Sequence, residues 1–315
     1  MTQPIRIVAA VAAAIVILLA FAQPYGGAPP AYAAKKTPAP TATPVPPAPV
    51  PPGLRAGLRA SNYGITPFPS PSWWTSSINS MASRFSGSVP EQIAVVVEVA
   101  GGGGRNNCWA HFPQPATGSY PGVNWDDIDL FESTFDAFDA AGIKVWLQVE
   151  PARCDVSMLI GLLYQQYGHH PSVIGFGVDV EWYRKDVSRT GKAVTDEEAS
   201  DWVAQTRSHA AEDLVFLKHW LIDKMPPTAR DGLVFIDDSQ GHGSLSAMVS
   251  EFSAWGQAFN PAPVGFQYGY QSDNAWWKTL PDPPADIGNS LLTAIPNTRD
   301  LIWVDFTAYD IWPPE

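Results

Sequence analysis

Eight apolar runs recur along the chain after residue 60, and the segments between them carry a helical period. In order the runs are Asn62–Pro67, Ile93–Val99, Ile143–Glu150, Val173–Glu181, Leu214–Trp220, Leu233–Asp238, Val264–Tyr270 and Leu301–Phe306. Most are nearly continuous in apolar residues, the pattern of parallel strands covered on both faces. Between them, Asp126 to Ala141 sets Ile128, Phe131, Phe135 and Phe138 on one stripe, with acids near its start where the helix dipole favours them. Val156 to Tyr167 repeats the stripe with Leu159, Leu162 and Leu163. Thr195 with Glu198 three residues on is a capping box, opening a helix that runs to Ala211. Leu245–Phe259, Ser72–Phe85 and Ala285–Ile295 supply further helical segments. Strand and helix alternating eight times predict an α/β fold: one (β/α)8 barrel over residues 54–315, in preference to an open doubly wound sheet.

What precedes the barrel cannot build a core. Arg6, an apolar run from Ile7 to Ala22 and the small residues Ala31-Tyr32-Ala33-Ala34 read as a secretory signal peptide over residues 1–34, an uncleaved anchor being the alternative. Residues 35–53 are Pro, Ala, Thr and Val with few others, an extended semi-rigid tether. The expected location is therefore extracellular, with tethering to a membrane or cell wall through the N-terminus.

A formal net charge of −12 argues against nucleic acid and anionic membrane surfaces as partners. Neutral or amino-sugar polymers suit it, and thirteen tryptophans provide indole faces able to stack on sugar rings. Two cysteines, Cys108 and Cys154, follow the second and third strands. In an oxidising compartment they are expected to form a disulfide between adjacent loops. The Gly101–Gly104 run lacks the Lys-Ser/Thr ending of a phosphate loop and reads as a loop beside the site.

Polar residues gather where the strands end, the face on which barrel enzymes carry their sites. Strand two ends at Glu98, three at Glu150, four at Asp179 and Glu181, and five at Lys218-His219-Trp220. Strand six ends at Asp238, seven at Gln267, Tyr268 and Tyr270, and eight at Asp305. Asp179 and Glu181 are two apart, so on a strand they share a face, and like charges that close push one carboxyl toward a neutral proton donor.

At Asp179-Val-Glu181 the chain resembles the barrel glycoside hydrolases that place D-x-E at the end of strand four, the family 18 chitinases and family 25 lysozymes. The resemblance implies that Glu181 protonates a glycosidic oxygen while Asp179 orients substrate. The chain departs from family 18 at Gly177, where that family has a further Asp, and at Asp237-Asp238, where it has a Tyr/Asp pair. Strand seven carries no carboxylate, unlike barrel hydrolases with a nucleophile there.

The expected activity is cleavage of an extracellular or cell-wall polysaccharide by general acid catalysis. Glu181 is the expected acid, with Asp179 raising its pKa and a second group among Glu98, Glu150 and Asp238. Trp182, His219, Gln267, Tyr268, Tyr270, Asp305 and Glu98 are expected to contact substrate, and Trp276-Trp277 to extend the cleft wall. No cofactor or metal is expected, and the sequence sets no oligomeric state. Two rivals are a metal-dependent barrel hydrolase or isomerase using Glu98, Glu150, Asp179, His219 and Asp238, and a non-catalytic carbohydrate-binding barrel.

Overall fold

The computed structural model describes residues 53–85, 90–101 and 107–314. The expected signal peptide, nearly all of the tether and most of the glycine run lie outside the described residues. In chain order the elements are β1 (Arg55–Ala60), α1 (Pro71–Ser83), β2 (Glu91–Ala100), β3 (Cys108–Ala110), β4 (Val123–Trp125) and α2 (Glu132–Ala141). Then come β5 (Lys144–Val149), α3 (Val156–Tyr167), β6 (Val173–Asp179), α4 (Asp196–His209), β7 (Leu214–Lys218) and β8 (Leu233–Asp237). The last are α5 (Leu245–Phe259), β9 (Val264–Tyr268), α6 (Asn274–Trp277), α7 (Pro283–Ala294), β10 (Thr298–Trp303) and α8 (Ala308–Ile311).

Eight strands, β1, β2 and β5 to β10, pair in parallel in that order, and β1 pairs with both β2 and β10 to close the cylinder. The predicted (β/α)8 barrel is the fold. β3 adds antiparallel to the end of β2, and β4 pairs with β3 as a small flap. No helix among the described residues is long and apolar enough to cross a membrane.

Inside the barrel, Ile93, Val95, Trp146, Phe216, Val234, Ile236 and Ile302 pack together. Trp146 and Phe216 fit because β6 presents glycine to them: a Cβ at Gly177 would lie 2.0 Å from the Phe216 ring, and one at Gly175 would lie 2.4 Å from Trp146. Outward-facing residues of the same strands, Leu58, Val96, Leu147, Phe176 and Phe266 among them, pack in the larger core with the helices. The capping box forms as predicted at Thr195 and Glu198.

Three sequence expectations need correcting. The first strand is Arg55–Ala60, and Asn62–Pro67 is the loop above it. The strand was hard to see because its inward residues are Arg55, Gly57 and Arg59, and Arg55 is neutralised inside the barrel by Asp300 at 2.6 Å. α2 starts at Glu132 rather than Asp126, since the Asp129 carboxylate accepts from the N–H groups of Phe131 and Glu132, leaving Ile128 71% exposed. Between β7 and β8 only a short 3₁₀ turn, Ile222–Lys224, replaces the helix, and Pro226-Pro227 follows it.

Candidate active site

The strand register stacks the polar residues in levels. Gln148 pairs with Gly177 and Asp179 with Lys218, so Glu150, Asp179 and Lys218 face inward at the barrel mouth. Lys218 pairs with inward-facing Ile236, which brings Asp238 round on the next inward position. These residues line one cavity of about 590 Å³, together with Arg59, Tyr63, Gln267 and Tyr270.

Lys218 is the centre of a buried triad. Its ammonium lies 2.8 Å from Asp179 Oδ2 and donates to Asp238 Oδ2. Burial alone would lower the lysine pKa, but Asp179 and Asp238 hold it well above its ordinary value. One cation serves two carboxylates. Burial raises the Asp179 pKa to about 7 against the opposing pull of Lys218, and the charges of Asp238 and Glu150 add to the rise. Asp179 Oδ1 and Asp238 Oδ1 are buried without a hydrogen-bond partner among the described residues.

Beside Asp179, at the end of the paired strand β5, Glu150 is held from three sides. Gly101 N–H donates to its Oε2 at 2.7 Å, the Tyr63 hydroxyl donates to Oε1, and Arg59 Nη2 lies 3.8 Å away. Arg59 is fixed in turn by Asp305 Oδ1 at 2.6 Å, and Asp305 also accepts from Ser61 N–H and Oγ. Gly101 is a close-approach position, because a Cβ there would lie 2.4 Å from the Trp182 ring.

Aromatic faces surround this charged floor. Tyr63, Trp109 and Phe306 line the cavity while 41%, 39% and 47% exposed, and Trp182 joins them. The Trp109 indole is oriented by Asp126 at 2.6 Å, which also bonds His111 at 2.9 Å.

The expected site residues divide. Glu150, Asp179, Glu181, Asp238, Trp182, Gln267 and Tyr270 line the cavity. Glu181 does so from a turn and does not share a strand face with Asp179, because β6 ends at Asp179. Its carboxylate, 30% exposed, pairs with Lys185 at 3.0 Å.

Four expected substrate contacts do not line the cavity. Glu98 sits where β2 bulges, the pairing passing from Val97–Gln148 to Val99–Val149. The extra residue turns its side chain into the helix layer beside Asp129 and Tyr167. Burial and the charge of Asp129 there raise its pKa well above the usual carboxylate range. His219 donates from Nε2 to Thr190 O and accepts at Nδ1 from Leu221 N–H, and burial lowers its pKa. Tyr268 points outward, donating to Pro284 O. Asp305 lies behind Arg59, fully buried. Trp277 is also interior, packed on Trp303 and donating to Tyr270 O. The Trp276 indole donates to His242 O, and neither tryptophan lines the cavity.

The donor set named for the rival metal enzyme does not converge: Glu98 faces away, both His219 nitrogens are engaged, and Lys218 occupies the space between Asp179 and Asp238. Cys108 and Cys154 form the expected disulfide, tying β3 to the loop after β5.

Sequence reasoning missed Arg59, Asn62, Tyr63, Trp109, His111, Asp126, Gln240 and Phe306 as cavity residues. From the sequence pattern, Asn62 and Tyr63 read as strand residues and Asp126 as helical. The Arg-x-Gly-x-Arg alternation at 55–59 was the available signal, since it is period two with glycine at its centre.

No protein-family model matches the chain, so the likeness to families 18 and 25 stays a likeness of a few residues. No curated protein matches either. Among solved structures, a β-glucuronidase of Parabacteroides merdae aligns at 11% identity and TM-score 0.47, over 80% of this chain and 31% of that one. A Bacteroides uniformis β-glucuronidase gives 10% and 0.45, over 78% and 30%. A psychrophilic glycoside hydrolase family 10 endo-β-1,4-xylanase gives 8% and 0.42, over 80% and 86%. This chain thus spans less than a third of the glucuronidases' length. At such distance neither identity nor overlap speaks to activity.

Proposed function

We propose that this chain is a secreted or surface-tethered glycoside hydrolase-like enzyme that cleaves an extracellular or cell-wall polysaccharide. The observation that carries it is the pairing of two differently held carboxyl groups, side by side at the ends of neighbouring strands and lining one aromatic-rimmed cavity: Asp179, raised by burial, and Glu150, accepting from Gly101 N–H and Tyr63. Glycosidic cleavage needs that division, a proton donor for the leaving oxygen and a carboxylate for the oxocarbenium-like centre.

The roles follow from the contacts. Asp179 holds the proton and delivers it to the glycosidic oxygen. Lys218 and Asp238 position it, and Asp238 also raises its pKa. Glu150 faces the sugar carbon. Glu181, engaged by Lys185 at the rim, contacts substrate beside Trp182 and is not the acid. The test is release of reducing ends from a panel of neutral and amino-sugar polysaccharides by the wild type and by Glu150→Gln. Hydrolysis lost in the variant with sugar binding retained supports the enzyme. Binding without turnover in the wild type across the panel refutes it.

A further inference from the structure

Away from the mouth, where α2 meets the turn between α3 and β6, Glu132, His169 and His170 bring ligand atoms within 4.8 Å of one another. None of the three lines the large cavity. From this arrangement we propose that they form a binding site for a borderline divalent cation of the Zn²⁺ class, stapling the first turn of α2 to the α3–β6 turn.

The state of His170 carries the inference. Its side chain is 2% exposed, and its Nδ1 is held by Asp139 Oδ2 at 2.7 Å. A carboxylate on Nδ1 fixes the proton there and leaves the Nε2 lone pair as the donor, the orienting arrangement of metal-bound histidines. That Nε2 has no hydrogen-bond partner among the described residues and faces Glu132 Oε1 at 3.6 Å. A lone pair and a carboxylate oxygen repel each other unless a proton or a cation lies between them, and 3.6 Å is too long for a hydrogen bond.

The separations of both imidazoles from Glu132 Oε1 fit a cation. His169 Nε2 lies 3.5 Å from the same Oε1. Tetrahedral Zn²⁺ with bonds of about 2.0–2.2 Å separates its ligands by about 3.3–3.6 Å. Two imidazoles and one carboxylate suit zinc over magnesium or calcium, and water completes the coordination at this partly open edge. Ser172 N–H donates to Asp139 Oδ1 at 3.0 Å, so the orienting carboxylate is itself held in place.

The experiment is calorimetric titration of Zn²⁺ alone into the full-chain protein, made without a polyhistidine tag and stripped with chelator. One equivalent is expected to bind saturably and to raise Tm. His169→Gln changes an exposed residue, keeps the fold, and is expected to weaken binding at least about tenfold through loss of a ligand. Asp139→Asn is expected to weaken it by about 10–100-fold by releasing His170. No saturable uptake in the wild type overturns the site. Equal affinity in His169→Gln also overturns it, because the ion then binds elsewhere.

Discussion

Lys218 Nζ lies 2.8 Å from Asp179 Oδ2, and both groups are almost completely buried. With Asp238 on the other side of the same ammonium, the triad sets the charge at the barrel mouth. Replacing Lys218 by Met leaves two carboxyl groups buried without their cation. Breaking a buried pair this way costs about 3–5 kcal/mol. Chemical denaturation is expected to show that loss at pH 7 and a smaller one at pH 5, below the raised pKa of Asp179, where that carboxyl is neutral.

Activity should fall as pH rises. Asp179 donates only while protonated, so turnover is expected to hold in mildly acid buffer and decline as pH passes through about 7. A rate profile that climbs from pH 6 to pH 8 contradicts the assignment.

Stability should fall in the same direction, for a separate reason. Burial raises Asp237 from the ordinary 3.8 to about 8, despite two bonds from Ser239. A carboxyl raised on folding contributes stability that is complete below its unfolded pKa and lost as pH climbs through the folded one. Thermal unfolding between pH 5 and pH 9 is expected to show a declining Tm, and Asp237→Asn to flatten the upper part of that slope.

Tyr63 donates to Glu150 and accepts from Arg59, so Tyr63→Phe removes both contacts without removing the ring. Stability is expected to change by about 1 kcal/mol. Turnover is expected to fall by about tenfold or more, because Glu150 loses a partner at the reacting face. Glu98→Gln is the contrasting variant. Its side chain lies in the helix layer, so kcat should stay at the wild-type value.

The disulfide closes a loop with a sequence separation of 46. By chain entropy it contributes about 4 kcal/mol. The double Ser variant is expected to unfold roughly 10 °C lower in a thermal melt.

The barrel was legible in the sequence because seven of its strands are buried on both faces and read as apolar runs. β1 was not, because inward arginines answered by Asp300 and Asp305 look like surface residues until their partners, 245 and 246 positions away, are known. Glu150, Asp179 and Asp238 were recognisable as strand-end acids. The orientation of Glu98 was hidden by a single-residue bulge, which no hydrophobic pattern records. For Glu181, the expectation extended the β6 alternation one turn too far; the backbone leaves the strand at Asp179, and the two carboxylates part.

The most direct measurement compares kcat of Asp179→Asn and Glu181→Gln on one hydrolysed polysaccharide. Loss of about 10²–10⁴-fold in Asp179→Asn, with Glu181→Gln within about tenfold of wild type, is the expected result. The reverse order, with Glu181→Gln inactive and Asp179→Asn close to wild type, contradicts the account.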